Sequence, residues 1–350
     1  MNNVQYLLAL HSIDGLGPIR LKAVLDYFKD PKLAWEANGG ELTKIGIPRN
    51  TVDLFLETRK KLEPESYAEL IHKSGIKWIT IFDENYPKLL AQIYDPPVVL
   101  YYKGSLGCLN NKCIAVVGSR KMTNYGKTVC EQFVRFLVNF NLTIVSGLAK
   151  GIDAMAHKTA VLENGQTVAV LGGGLNEIYP LENIGLAKDI INGHGAIVSE
   201  FPPDYSIMPG NFPSRNRIIS GLSEATLVVE AAEDSGSLIT ARQALEQGRN
   251  VFTVGLSPIN DWAMAVYEPG EILDEMGITR VQGLGSRVQG EVQLSEEEKK
   301  ILEILKNDSL HIDEISRILN LKSAKISVLL LKMEISGLVQ NLGSGTYCVT

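Results

Sequence analysis

The sequence has few cysteines and no long apolar run, and both absences narrow the class of protein. The four cysteines among 350 residues lack the paired spacing of a metal site, which predicts small core side chains in a reducing compartment rather than disulfides. The first ten residues have no basic start of a signal peptide, and no stretch reaches the apolar length of a membrane span. We therefore expect a cytoplasmic protein without a membrane segment.

Acidic side chains outnumber basic ones, 40 to 34. The formal net charge is −6, and the excess of acidic side chains lies in the middle of the chain, which excludes a protein coated with basic residues. A groove can still be locally positive on an acidic body. Any anion site in the middle of the chain must therefore come from a focused cluster of cations.

Sequence patterns divide the chain into four parts. A chain of 350 residues exceeds one ordinary domain. Residues 1–75 are predicted to be all helical, as in a helix-hairpin-helix or SAM-like domain. Residues 76–282 are predicted to form an α/β domain, 283–293 a linker and 294–350 a winged helix.

The N-terminal part contains a glycine-hinged turn at 13–19, in which Pro18 is placed to begin a helix. Such a hairpin between two helices can offer backbone amides to a DNA phosphate. A packing turn of an α-domain explains it equally well, and a second, weaker copy occurs at 45–48.

The middle part alternates apolar runs with helical patterns, which predicts a Rossmann-like, doubly wound and mostly parallel sheet. Short strands are also expected at 78–81 and 98–102, on the N-terminal side of this alternation. The main strand candidates are 114–118, 143–146, 167–172, 196–199, 225–230 and 250–254.

Three consecutive strand candidates end in small residues. Gly118-Ser119-Arg120 follows the first, Ser146-Gly147 leads to Lys150-Gly151 after the second, and Gly172 to Gly174 follows the third. Ligands of such sheets bind beyond the carboxyl ends of the strands. Bare amides at the start of a helix favour anions there, so we expect an open, phosphate-binding crevice. No P-loop or dinucleotide motif is present, and we predict no cofactor and no metal.

A second set of candidates lies at 211–222, where Phe212, Arg215, Asn216 and Arg217 surround a turn that opens a helix. Arginine forks suit phosphates, and a phenyl ring can stack on a base. The alternative is a structural bond from one arginine to an acidic residue such as Glu230, with Phe212 in the core. His157, alone on a helix face, is expected to be a packing residue.

The last part begins with a capping box of Ser295 and Glu298, followed by helix, helix-turn-helix and hairpin. This order predicts a winged helix. Its recognition helix carries Lys322, Lys325 and Lys332 but no arginine, and this part of the chain has a slight negative charge, which favours docking to protein over reading DNA.

Together these motifs closely resemble the DNA-processing protein A (DprA/Smf) family over roughly 80–255. The motifs that carry the resemblance are Val117 to Arg120, Thr123 with Tyr125-Gly126, Ser146 to His157, Ala169 to Gly172, Tyr179-Pro180, Ser199-Glu200, Phe212 to Arg217 and Ser235 to Ala241.

The resemblance implies a non-catalytic protein that binds single-stranded DNA, protects incoming DNA in natural transformation, loads the recombinase RecA and forms a homodimer. Gly118 to Arg120 and Lys150 would hold phosphates, Phe212 would stack on a base, and Arg215 and Arg217 would complete the basic pocket. The remaining predicted DNA contacts are Ser146, Gly147, Gly151, Gly172, Gly174 and Asn216.

An enzyme or a nucleotide sensor remains the alternative. The fold also occurs in phosphoribohydrolases, which this chain resembles in its arginine-bearing helix and glycine-rich strand end. Those enzymes carry a glycine-rich loop with a catalytic glutamate, whereas the corresponding place at 233–240 lacks those glycines and that glutamate.

Overall fold

The computed structural model describes residues 3–231, 235–255, 262–278, 295–305, 309–319, 321, 323–335, 339–343 and 345–349. The chain forms two compact units, Met1–Arg280 and Val281–Thr350, and each is described by itself. The predicted linker 283–293 and Lys322 lie outside the described residues. Among the residues that the structure describes, no helix is both long enough and apolar enough to span a membrane.

The N-terminal region is helical, as predicted. Its helices are α1 Val4–His11, α2 Pro18–Phe28, α3 Pro31–Glu36, α4 Gly39–Lys44, α5 Arg49–Lys61 and α6 Pro64–Lys73. Pro18 is the first residue of α2. In the turn before it, Gly15 has φ +87°, and a Cβ there would lie 2.7 Å from Thr51 Oγ1. Glycine is required at this position because the backbone is left-handed and packs directly on α5.

A nine-stranded sheet forms the centre of the first unit, in the order β1-β2-β6-β5-β4-β3-β7-β8-β9. The first two strands pair antiparallel at one edge, β2 is antiparallel to β6, and the remaining pairs are parallel. The mostly parallel sheet is therefore confirmed. The strands are β1 Lys77–Thr80, β2 Val99–Gly104, β3 Cys113–Val117, β4 Thr143–Ser146, β5 Thr167–Val170, β6 Gly195–Ser199, β7 Ala225–Val228, β8 Asn250–Val254 and β9 Met264–Val266.

Helices cover both faces of this sheet, as the doubly wound prediction requires. They are α7 Lys88–Ala91, α8 Asn124–Asn139, α9 Ile152–Leu162, α10 Ile184–Asp189, α11 Asn211–Gly221, α12 Gly236–Glu246 and α13 Pro269–Glu275. Side chains alternate along each strand. Ile114 and Val116 pack with α8, α9 and α13, whereas Ala115 and Val117 pack with α11 and α12 on the opposite face.

The N-terminal helices share a core with the antiparallel side of the sheet. Leu7 and Leu10 of α1 cluster with Tyr101 of β2, Ala169 of β5 and Ile197 of β6. Burial at this junction places residues 1–75 on the sheet within the first unit. The domain limit drawn at residue 75 stays a prediction.

The second unit has the element order of a winged helix, which confirms that prediction. Ser295 and Glu298 form the predicted capping box, with nitrogen–oxygen distances of 2.7 and 3.2 Å. Lys325 of the recognition helix pairs with Glu297 at 2.5 Å. The elements are α14 Glu296–Leu305, β10 Leu310–His311, α15 Ile312–Leu319, α16 Ser323–Ile335, β11 Val339–Gly343 and β12 Thr346–Val349.

Candidate nucleic-acid interface

Three loops meet at the carboxyl edge of the sheet because β5, β4 and β3 are parallel neighbours. The loop after β3 and the loop after β4 are locked together at Gly151. This glycine has φ +79°, and a Cβ there would lie 2.2 Å from the carbonyl oxygen of Ser119. The amide of Ile152 donates to the same oxygen at 3.1 Å. The first two predicted loops therefore form one surface.

Two exposed cations project from this surface. The Arg120 guanidinium lies over the Phe212 ring, with its carbon 5.7 Å from the ring centroid, and the ring itself is half-buried. The Lys150 ammonium lies 2.8 Å from a Glu182 carboxylate oxygen. That hydrogen bond raises the pKa of Lys150, with a smaller contribution in the same direction from Tyr179. Cations and an aromatic ring thus lie side by side at the sheet edge.

Glu182 pairs with the exposed Lys150 ammonium, so an anionic ligand would have to compete with this carboxylate. Replacing it by glutamine removes the competing charge, so we expect the Glu182→Gln variant to bind oligo-dT up to about fivefold more tightly, the range spanned by exposed ion pairs. Fluorescence anisotropy at low salt measures the change. Glu177→Gln, a neighbouring exposed carboxylate, is the matched control, and equal affinities for the two variants would argue against competition at Lys150.

Arg215 lies below the surface rather than on it. The side chain is buried and donates to the carbonyl oxygens of Gly147, at 2.8 Å, and Val170. Burial lowers the pKa of its guanidinium to about 10, although Asp153 acts in the opposite direction. The same burial raises the pKa of Asp153, while Arg215 counteracts that effect. Arg215 and Asp153 therefore stabilise the loop after β4 from below.

The expectation of a bare amide at Gly147 is wrong. Its N–H donates to Asp153 Oδ2 at 3.1 Å. Asp153 belongs to the first turn of α9, where a negative charge is favoured by the helix dipole. The chain thus supplies its own anion at this helix start. A Cβ at Gly147 would also lie 2.6 Å from the Arg215 guanidinium, so glycine is needed there for internal packing.

The expected open crevice at the strand ends is filled by the chain itself. Gly172 and Gly174 are buried. A Cβ at Gly174 would lie 2.1 Å from the carbonyl oxygen of Pro203, and one at Gly172 would lie 3.1 Å from the Phe212 ring. Ser146 is buried as well, and its hydroxyl donates to a backbone carbonyl of β3 at 2.6 Å. These residues pack the loops; direct contact with DNA stays a prediction for each of them.

Arg217 forms a structural ion pair, which was the alternative interpretation of the arginines in the sequence. Its acidic partners are not Glu230. Two of its nitrogens contact the two carboxylate oxygens of Glu200 at 2.8 and 2.6 Å, and Nε contacts Asp95 at 2.8 Å. Burial disfavours the guanidinium charge, yet the two carboxylates outweigh it and raise its pKa. In this geometry Arg217 faces carboxylates and not the predicted basic pocket.

Two further residues that the sequence singled out, Asn216 and His157, also form contacts within the protein. Asn216 is half-buried, and its amide donates to the carbonyl of Gly236 at 3.3 Å. His157 is fully buried, with Nδ1 2.7 Å from Thr167 Oγ1. His157 is therefore a core residue, as expected.

Tyr179 belongs to the surface but was absent from the predicted site. The residue is 50% exposed, and the centroid of its ring lies 5.9 Å from that of Phe212. The sequence offered one signal, a Tyr-Pro pair shortly after a glycine-rich strand end. Only the folded loop brings this ring to the cations.

The predicted site residues that stay at least partly accessible, with Tyr179 beside Phe212, are Gly118, Ser119, Arg120, Lys150, Gly151, Phe212 and Asn216. Exposed cations next to aromatic rings are the combination that binds a polyanion whose bases can stack. Fold and surface together define a Rossmann-like α/β protein with exposed cations and aromatic rings at an edge beyond the carboxyl ends of its strands.

Family comparison identifies this α/β protein more closely. The model of DNA recombination-mediator protein A matches residues 77–272, and that of the DprA winged helix domain matches residues 286–345. The chain belongs to the DNA recombination-mediator protein A (DprA/Smf) family, as the sequence motifs had indicated.

Relatives match along most of the chain. Protein Smf of Synechocystis is 34% identical over 381 residues, covering 95% of this chain and 96% of that protein. DNA processing protein DprA of Bacillus subtilis is 42% identical over 222 residues, covering 60% and 74%. The structure of DprA from Streptococcus pneumoniae superposes with a TM-score of 0.68 at 35% identity, covering 79% of this chain and 99% of that one.

Proposed function

We propose that this protein binds single-stranded DNA without cutting it, through the surface around Arg120, Lys150 and Phe212. The observation that carries the proposal is that two exposed cations and a half-buried aromatic ring lie at one sheet edge. Phosphate contacts give affinity for any sequence, and stacking requires a base that is free of a duplex.

In the cell, the bound strand would be protected during natural transformation and passed to RecA for recombination, with the protein acting as a homodimer. The family resemblance supports these roles. A protein that delivers DNA intact needs no catalytic group, and we propose that it is not an enzyme.

The test is a comparison of oligo-dT with a duplex of the same length, both titrated with the full-length protein at low salt. We expect tighter binding of the single strand, because duplex bases are stacked and cannot reach Phe212. Equal or tighter binding of the duplex would contradict the proposal. Release of free base from nucleoside monophosphates would support the phosphoribohydrolase alternative instead.

A further inference from the structure

The segment Tyr179–Asn183 is fixed to the loop that carries Lys150. The Asn183 amide donates to the carbonyl of Leu148 at 2.8 Å, and Glu182 forms the ion pair with Lys150. Both bonds attach the segment to the loop after β4. The orientation of Tyr179, at the beginning of the segment, therefore depends on the same loop as Lys150.

Tyr179 lies between a cation and an aromatic ring. It contributes to the raised pKa of Lys150, and its ring is inclined by 45° to the Phe212 ring at 5.9 Å between centroids. That distance is within the range of a contacting aromatic pair. Half of Tyr179 nevertheless stays exposed, so contact with Phe212 leaves ring surface for a ligand.

Arg120 lies over the Phe212 ring, Phe212 contacts Tyr179, and Tyr179 acts electrostatically on Lys150. A single strand presents phosphates on its backbone and a stackable face on every base. Two neighbouring rings flanked by two cations match two consecutive nucleotides. A single ring would match only one.

We propose that Tyr179 is a second stacking surface, so that two consecutive bases of a DNA strand stack on Phe212 and Tyr179 while phosphates contact Arg120 and Lys150. This inference rests on the proposed function. It adds a base-binding residue and predicts that the phosphates of the strand are not sufficient for full affinity.

The test compares oligo-dT with an abasic strand of equal length, which has the same phosphates but no bases. The Tyr179→Ala variant is expected to bind oligo-dT about 5- to 150-fold more weakly, the effect of losing one stacked base. Its affinity for the abasic strand should not change. Tyr179→Phe keeps the ring and should bind like wild type, and Leu181→Ala, an exposed residue of the same segment, is the matched control.

A role in which Tyr179 only supports Phe212 predicts a different result in the double variant. If each ring stacks its own base, the double variant binds more weakly than either single variant, whereas a supporting role gives a double variant no weaker than Phe212→Ala alone. A double variant no weaker than Phe212→Ala would overturn the inference. Equal weakening by Tyr179→Ala on both strands, or no weakening on either strand, would overturn it as well. Failure of wild type to bind either strand would instead refute the proposed function.

Discussion

Replacing Arg217 by alanine is expected to lower the free energy of unfolding by about 3–5 kcal/mol, because a buried ion pair that loses one partner leaves an uncompensated charge. Glu200 is buried with Arg217, and both of its carboxylate oxygens are bonded to the guanidinium. Urea unfolding followed by tryptophan fluorescence measures the change. All three tryptophans, Trp35, Trp78 and Trp262, lie in the first unit, so the signal reports on the unit that contains Arg217.

Two controls make this result specific. Arg135 forms an exposed pair with Glu163 at 2.8 Å, and Arg135→Ala is expected to cost less than about 1 kcal/mol. Replacing the most buried pair by Arg217→Met with Glu200→Leu should cost less than Arg217→Ala alone, since the half-buried Asp95 loses its partner in both variants and only Arg217→Ala leaves the buried Glu200 charge unpaired. An Arg217→Ala variant as stable as Arg135→Ala would show that Arg217 is not the buried partner of Glu200, and would make it a candidate DNA contact again.

Replacing Arg120 by alanine is expected to weaken oligo-dT binding about 10- to 150-fold, because one hydrogen-bonded contact between charged groups contributes about 1.5–3 kcal/mol. Its removal also deprives Phe212 of the cation over its ring. Anisotropy at fixed low salt measures the loss. Since Arg120 is exposed, the variant should unfold at the same urea concentration as wild type, which separates binding from folding.

Two further variants test whether Arg120 forms a defined phosphate contact. Arg120→Lys keeps the charge but loses the bidentate fork, so an intermediate affinity is expected. Lys121→Ala removes an adjacent exposed cation and should have a smaller effect. If Lys121→Ala and Arg120→Ala were equally weak, the contact would be general electrostatic attraction and not a defined phosphate site.

The sheet could be predicted because buried parallel strands are continuous apolar runs, which are visible without knowledge of the fold. All six main strand candidates correspond to observed strands. The edge strand β9 was not predicted, since only three residues, Met264–Val266, form it. A run of three residues carries no periodicity that distinguishes a strand from a loop.

The site could be predicted only in part. Arg120 and Lys150 follow strands directly, so the position of a strand end places them on the surface. The buried arginines could not be assigned in this way. Arg217 pairs with Asp95, 122 positions away in the sequence, and such partners are known only after folding. Asp153 satisfies the Gly147 amide by a local bond that glycine spacing does not reveal.

Salt dependence shows whether Arg120 and Lys150 hold phosphates, on which the proposed function depends. The logarithm of the affinity for a single strand falls with the logarithm of salt concentration by about 0.7 per neutralised phosphate. We therefore expect a variant with both Arg120→Ala and Lys150→Ala to have a slope shallower than that of wild type by about 1.4. Parallel lines for wild type and variant would contradict the phosphate contacts, because the bound phosphates would then lie elsewhere on the protein.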